Sequence, residues 1–269
     1  MSCCPPGSLG AAPLNSLAPK GKMVELKASE NRKSMQCYQV GPDAPKRTLV
    51  VFSDVFGIDS GNHKVVCDVL QEKLGVDTAV WMPDLFRGKA IMGAWGLGHF
   101  ITDTFGLPSI LWACFTNMKE ANLEADLKEV VAPALQTDKV ACLGFCYGGW
   151  VSGRAVALEG FPAKAAVGIH PSWKIETIFS KKEEDLAAKV NKTPFLFLAA
   201  SNDDLKVGTP VVEALAKGRG VEQDKVSIEF PEMKHGWVPR GDSSDEKVKA
   251  DQEKATTLAV DFVKEHVKV

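Results

Sequence analysis

Six side chains able to carry chemistry each fall just after an apolar run: Asp54 after VVFS, Asp84 after VWMP, Cys146 after CLGF, His170 after AVGI, Asp203 after FLAASN and His235 after IEFPEMK. The thiol has the most telling surroundings. It sits in Gly144-Phe145-Cys146-Tyr147-Gly148, with Gly149 next. Glycines on both sides are what a sharp strand-to-helix turn needs, because the central residue is strained and its neighbours are crowded. Such a turn holds the sulfur at a helix N-terminus, where the helix dipole and open N–H groups favour thiolate over thiol. The competing reading is a structural cysteine beside a turn, as Cys142 is expected to be within its strand.

Chain order adds weight to the nucleophile reading. Enzymes that use this elbow place nucleophile, acid and histidine in that order. After Cys146 come Asp203 and then His235, each behind an apolar run. Asp203 would orient the imidazole and stabilise its charged form, and His235 would take the proton from Cys146. Spacing leaves Asp204 open as the acid and His170 open as the base. His63, His99 and His266 follow no run of this kind and are expected on the surface or in packing.

These residues need a scaffold that gathers strand ends on one rim. Runs rich in Val, Ile and Phe recur at 47–54, 78–84, 139–145, 163–170, 194–201 and 225–232. Helical patterns separate most of them, at 63–75, 117–136, 150–160, 209–220 and 245–267. Near-continuous apolar strands alternating with helices predict an α/β fold with a mostly parallel sheet covered on both faces. In such a sheet ligands bind beyond the carboxyl ends of the strands, where the six side chains fall. Segments 23–28 and 34–41 read as a β-hairpin at one edge. The expected organisation is an N-terminal flexible tail over 1–21, then one domain over 22–269. Within it, 90–114 is an apolar, cap-like insertion containing Trp95, Phe105 and Trp112. That insertion also holds His99, Asp103, Pro108 and four glycines, too interrupted for a membrane span.

Bulk properties narrow the class. The 269 residues are 45% hydrophobic and 25% charged, with a net charge of −2, an ordinary globular balance with no basic stripe for nucleic acid. Seven cysteines, scattered and odd in number, make no disulfide framework and show no zinc spacing. The N-terminus has no signal-peptide pattern, so a cytoplasmic protein with reduced thiols is expected. For Cys3 and Cys4, metal binding, lipid attachment and no role at all stay open.

GFCYGGW, with ASNDD and KHGWVPR downstream, resembles the dienelactone hydrolase (carboxymethylenebutenolidase) family over about residues 22–269. FSDVFGID at 52–59 and PDLFRG at 83–88 are similar to two further segments of that family. The resemblance implies an α/β-hydrolase fold and a triad of Cys146, Asp203 and His235. It favours Asp203 over Asp204 because ASND is similar to the family's stretch. It implies an oxyanion hole from the backbone N–H groups of Tyr147 and Val55. Arg87 and Arg240 are implied as holders of a substrate carboxylate. Asp54 stands where the family carries a glutamate that hydrogen-bonds the resting cysteine, one methylene shorter, and is expected across the rim from Cys146. The activity implied is hydrolysis of an ester, lactone or enol-lactone through a thioester, with no metal or organic cofactor. The partner is a small-molecule substrate, not nucleic acid or membrane, and the protein a monomer or homodimer. Two rivals are a general carboxylesterase or thioesterase without carboxylate preference, and a non-catalytic ligand-binding member of the fold.

Overall fold

The computed structural model describes residues 4–10, 18–28, 32–89 and 120–269. Its centre is an eight-stranded sheet in the order β1-β2-β4-β3-β5-β6-β7-β8. The strands are β1 (Lys22–Leu26), β2 (Met35–Val40), β3 (Arg47–Phe52), β4 (Thr78–Pro83), β5 (Val140–Phe145), β6 (Ala163–Ile169), β7 (Phe195–Ala200) and β8 (Ser227–Phe230). From β4 through β3 to β8 every pairing is parallel. β1 and β2 form the expected edge hairpin, and β2 runs antiparallel to β4. This is the architecture that the alternating apolar runs predict.

The sheet is covered on both faces because its strands are apolar on both. Every residue of β3, β4, β5 and β7 is buried. Successive side chains point to opposite faces, so β3 sends Leu49 and Val51 to one core and Val50 and Phe52 to the other. Five of the longer helices are α1 (His63–Leu74), α2 (Glu120–Asp126), α3 (Tyr147–Ala157), α4 (Glu183–Val190) and α5 (Pro210–Arg219). The sixth, α6 (Glu246–His266), closes the chain. Leu70 of α1 and Val263 of α6 join the first core, while Val151 of α3, Leu186 of α4 and Val212 of α5 join the second. Asp245 caps α6, accepting from Lys247 N–H at 2.8 Å and Val248 N–H at 3.2 Å. Helix α4 has no counterpart among the expected segments. Its eight residues are too short for periodicity to stand out, and three of its first four are not apolar.

The insertion at 90–114 lies outside the described residues. The N-terminal residues that are described do not stand apart from the domain, as the tail expectation had it. Lys20 N–H donates to Asp68 at 2.8 Å and Gly21 N–H to Tyr38 Oη at 2.7 Å, which leads the chain into β1. Residues 4–10 lie across the carboxyl ends of the central strands.

Candidate active site

Strand β5 ends at Phe145, and α3 begins at Tyr147, so Cys146 alone makes the turn. Its φ is +53° with ψ −114°, a conformation that costs a residue with a side chain on the order of 1–3 kcal/mol. Three hydrogen bonds hold it there: Cys146 N–H to Ile169 O at 3.2 Å, and Gly149 and Ser172 N–H to Cys146 O, both at 3.0 Å. The neighbouring glycines are required by contact. A Cβ on Gly144 would lie 1.8 Å from Gly148 O, and one on Gly148 would lie 2.0 Å from Phe52 O. No side chain larger than hydrogen fits at either position. The thiol is fully buried, with Ser172 Oγ at 3.5 Å and Cys4 Sγ at 3.4 Å.

The loop after β7 carries Asp203, the expected acid. Asp203 accepts from Ala200 N–H at 2.6 Å with one oxygen and meets His235 Nδ1 at 2.6 Å with the other. Asp204, the alternative acid, points away and pairs with Lys174 at 2.6 Å, half-exposed. Asn202 completes the frame by accepting from His235 N–H at 2.8 Å. Burial alone would push the His235 imidazole down. The hydrogen bond to Asp203, that to Cys4 and the charges of both overcome it and raise its pKa to about 9. A ring nitrogen of His235, Cys146 Sγ and Cys4 Sγ lie within 4.8 Å of one another. Two sulfurs and one imidazole are also a donor set with the chemistry to hold a soft divalent cation. Metal binding is one of the roles the sequence leaves open for Cys4, without partners named.

His170, the alternative base, is at the rim but is not presented to it. It is fully buried with φ +41° and packs against His235 at 4.7 Å, Trp237 at 5.3 Å and Phe145 at 5.9 Å between ring centroids. Burial, and then the charge of His235, pushes its pKa well below the usual value, so it stays neutral. His63 is buried too, with Nδ1 donating to Ser60 O, and burial lowers its pKa to about 4. Asp84 turns its own loop, accepting from Phe86 N–H at 3.2 Å and Gly88 N–H at 2.6 Å.

Three of the expected site residues lie in ion pairs. Arg87 does not face the site with an open fork. It grips Asp126 through Nη1 at 2.8 Å and Nη2 at 2.9 Å, and donates to the carbonyls of Lys33 and Ser34. Asp126 presents a nearly buried carboxylate at bidentate distance, the geometry in which a guanidinium fork binds strongly. Asp54 is buried, but as an ionic partner of Arg240, with Phe56 N–H donating to it at 2.9 Å and His63 Nε2 3.3 Å away. A carboxylate this deep needs a counter-charge, and Arg240 supplies it. Arg240 is therefore also committed. It pairs with Asp54, donates to Leu9 O through Nε at 3.1 Å and Nη2 at 2.9 Å, and lies 4.8 Å from the Phe56 ring. Tyr147 is the first residue of α3, directly after Cys146, and Val55 lies three residues beyond the end of β3.

Sequence reasoning missed Asn202, Ser172 and, above all, the reach of the N-terminal segment. Ser172 follows His170 closely and carried no separate signal. The adjacent Cys3 and Cys4 were a signal, but nothing in the sequence said where they would lie. A cavity of about 350 Å³ opens beside Cys4 and is lined by Pro5, Pro6, Ser172, Trp173 and Asp203 among others. Glu183 also lines it, and burial, then the charge of Asp204, raises its pKa to about 7.

Similar folds occur in known hydrolases. A protein described as a dienelactone hydrolase from Klebsiella pneumoniae subsp. pneumoniae MGH 78578 is 18% identical with a TM-score of 0.59, over 89% of this chain and 97% of that one. A dienelactone hydrolase-like promiscuous phosphotriesterase from metagenomic libraries is 15% identical with a TM-score of 0.53, over 91% of this chain and 98% of that one. An esterase from Pyrobaculum calidifontis is 14% identical with a TM-score of 0.55, over 91% and 85%. No curated protein matches the sequence. At these identities the structural likeness shows the α/β-hydrolase fold. The model of the dienelactone hydrolase family, by contrast, matches residues 35–267, nearly the whole described domain. This chain is thus a hydrolase of carboxylic esters and belongs to the dienelactone hydrolase family.

Proposed function

We propose that this protein hydrolyses esters, lactones or enol-lactones with Cys146 as nucleophile, Asp203 as acid and His235 as base. The observation that carries the reading is the positive φ of Cys146 at the head of α3, within 4.8 Å of a His235 held by Asp203. The raised pKa of His235 favours imidazolium at neutral pH, the partner a thiolate needs.

In the first half-reaction the Cys146 sulfur attacks the carbonyl carbon. Negative charge grows on the carbonyl oxygen, and the N–H groups of Tyr147 and Val55 would receive it; removing one such donor typically costs about 3 kcal/mol. The tetrahedral intermediate collapses to a thioester as His235 gives its proton to the departing alkoxide. In the second half, His235 takes a proton from water, the hydroxide attacks the thioester, and the carboxylic acid leaves, giving its proton to solvent, as the thiolate is restored beside the imidazolium. Asp203 holds the imidazole in one tautomer throughout.

A second reading, a carboxylesterase or thioesterase with no preference for a substrate carboxylate, is favoured by a specific observation. Arg87 is taken by Asp126 and Arg240 by Asp54 and Leu9 O, and neither lines the cavity beside Cys4. The substrate is a small molecule in both readings. Five described cysteines outside any disulfide support a reducing compartment, the cytoplasm, and no described helix is long and apolar enough to cross a membrane.

The test is a screen of aryl esters and lactones, each with and without a carboxylate, against wild type and Cys146→Ala. The alanine variant should fall to the uncatalysed rate with an unchanged circular dichroism spectrum. Turnover close to wild type would remove Cys146 as nucleophile. Equal turnover with and without the carboxylate would select the second reading.

A further inference from the structure

The N-terminal segment is fastened to the residues that frame the site. Leu9 N–H donates to His235 O at 2.9 Å, and Asn202 Nδ2 donates to Pro6 O at 3.0 Å. Arg240 forks onto Leu9 O. A turn closed by Ser8 N–H and Ser8 Oγ on Pro5 O bends the segment back over the rim. Pro5 and Pro6 have no N–H to satisfy there and fix φ, so the strap lies down at low entropic cost. Cys4 is the first described residue of this strap, and its sulfur stops 3.4 Å from that of Cys146.

We propose that Cys4 and Cys146 are a reversible disulfide site, a lock that peroxide closes and thiol opens. The proposal rests on Cys146 being the nucleophile, since only then does the bond shut off hydrolysis. Bonded sulfurs lie about 2.05 Å apart, so closure needs an approach of roughly 1.3 Å, within reach of a segment held by side chains and single backbone hydrogen bonds. The same environment that readies Cys146 for a carbonyl readies it for peroxide. The Cys146 thiolate attacks one peroxide oxygen, the O–O bond breaks, and the leaving alkoxide or hydroxide takes a proton, giving Cys146 sulfenic acid. The Cys4 sulfur then attacks Cys146 sulfur, the S–O bond breaks, and water leaves with the proton from Cys4. Two sulfurs lose one electron each, and the peroxide gains two. A low-molecular-weight thiol reverses the bond through a mixed disulfide, being itself oxidised. A resolving cysteine 3.4 Å away also keeps the sulfenic acid from going on to sulfinic acid, which thiols do not reverse.

The experiment treats the full-length protein, reduced and kept in EDTA, with hydrogen peroxide. Peptides are mapped without reduction, and p-nitrophenyl acetate hydrolysis is followed before and after dithiothreitol. The expected map contains a cross-linked pair from Met1–Lys20 and Val140–Arg154, with fragmentation placing the bond at Cys4 and Cys146. The fraction of activity lost should equal the cross-linked fraction, and dithiothreitol should return all of it. Cys4→Ser, measured against its own untreated rate, should lose activity to peroxide without a cross-link and fail to recover with dithiothreitol as Cys146 passes to sulfinic acid. A bond at Cys3 or Cys142 instead would overturn the proposal. So would inactivation without any cross-link, or inactivation that appears only when EDTA is omitted, which would assign the cluster to a metal. A Cys4–Cys146 bond that leaves hydrolysis intact would uphold the disulfide and overturn Cys146 as nucleophile.

Discussion

Gly148→Ala should damage catalysis far more than one methyl group suggests. The added Cβ would stand 2.0 Å from Phe52 O, 2.6 Å from Phe52 C and 2.8 Å from Ser53 O. Ordinary contact begins near 3.4 Å, so the first turn of α3 and the end of β3 must part by about 1.4 Å. Neither side yields easily. β3 is hydrogen-bonded to β4 and β5, and the turn before Gly148 is pinned through Cys146. The retreat therefore falls on the loop after Phe52, which carries the proposed oxyanion donor Val55, and on Tyr147. A misplacement of about 1 Å among reacting groups can cost on the order of 10² in rate, while overpacking costs about 1–3 kcal/mol of stability. The expected result is a fall in kcat of about 10² for p-nitrophenyl acetate in a protein that still melts cooperatively. Gly218→Ala, in α5, is the control. Its Cβ would meet Asn191 O at 2.5 Å, and Asn191 does not line the cavity, so stability should drop while kcat holds. Equal kcat losses in the two variants, or an unchanged kcat in Gly148→Ala, would refute the argument that backbone approach at Gly148 sets the site.

Asp203→Asn should reduce activity by about 10⁴, as loss of the orienting carboxylate does in serine analogues, whereas Asp204→Asn should leave it near wild type. The two also separate by pH. The folded-state pKa of His235 is raised to about 9, so the stability it contributes is complete below about pH 6.5 and lost as pH rises through 9, up to about 3 kcal/mol. Urea unfolding from pH 6 to 10 should show that decline in wild type and Asp204→Asn and a flatter curve in Asp203→Asn; parallel curves in all three would break the assignment. Asp54→Asn should cost about 3–5 kcal/mol of stability, because it strands the buried Arg240 charge, while leaving the pH profile of Cys146 alkylation unchanged. A shifted profile would restore Asp54 as a modulator of the thiol.

The sheet was legible because its signal is local and strong. Runs such as RTLVVF and VACLGF are buried on both faces, and an unbroken apolar run is how such a strand reads. The elbow was legible for the same reason, since its glycines are demanded by contacts within the motif and with the next strand. Asp203 against Asp204 was not legible from spacing, since both follow β7 and only the course of the loop turns one toward His235. The partners of the arginines were not legible because a guanidinium pairs with whichever buried carboxylate the fold brings near. Asp126 lies 39 residues beyond Arg87 and Asp54 lies 186 before Arg240, distances at which no local pattern exists. The docking of Cys4 on Cys146, across 142 residues, belongs to the same class.

The edge-to-face pair of imidazoles, His170 on His235, has a consequence for proton traffic. A hydrolase that works in two halves must return one proton to the same nitrogen each cycle, and a second basic nitrogen nearby offers a place for it to go astray. His170 is closed off as such a place. It is walled by Phe145 and Trp237, and its protonation is opposed first by burial and then by the charge already on His235. The rim thus has one proton address rather than two. In the proposed mechanism, the neighbour that looks like a spare base would act as an insulator, keeping the proton's path short and its destination single.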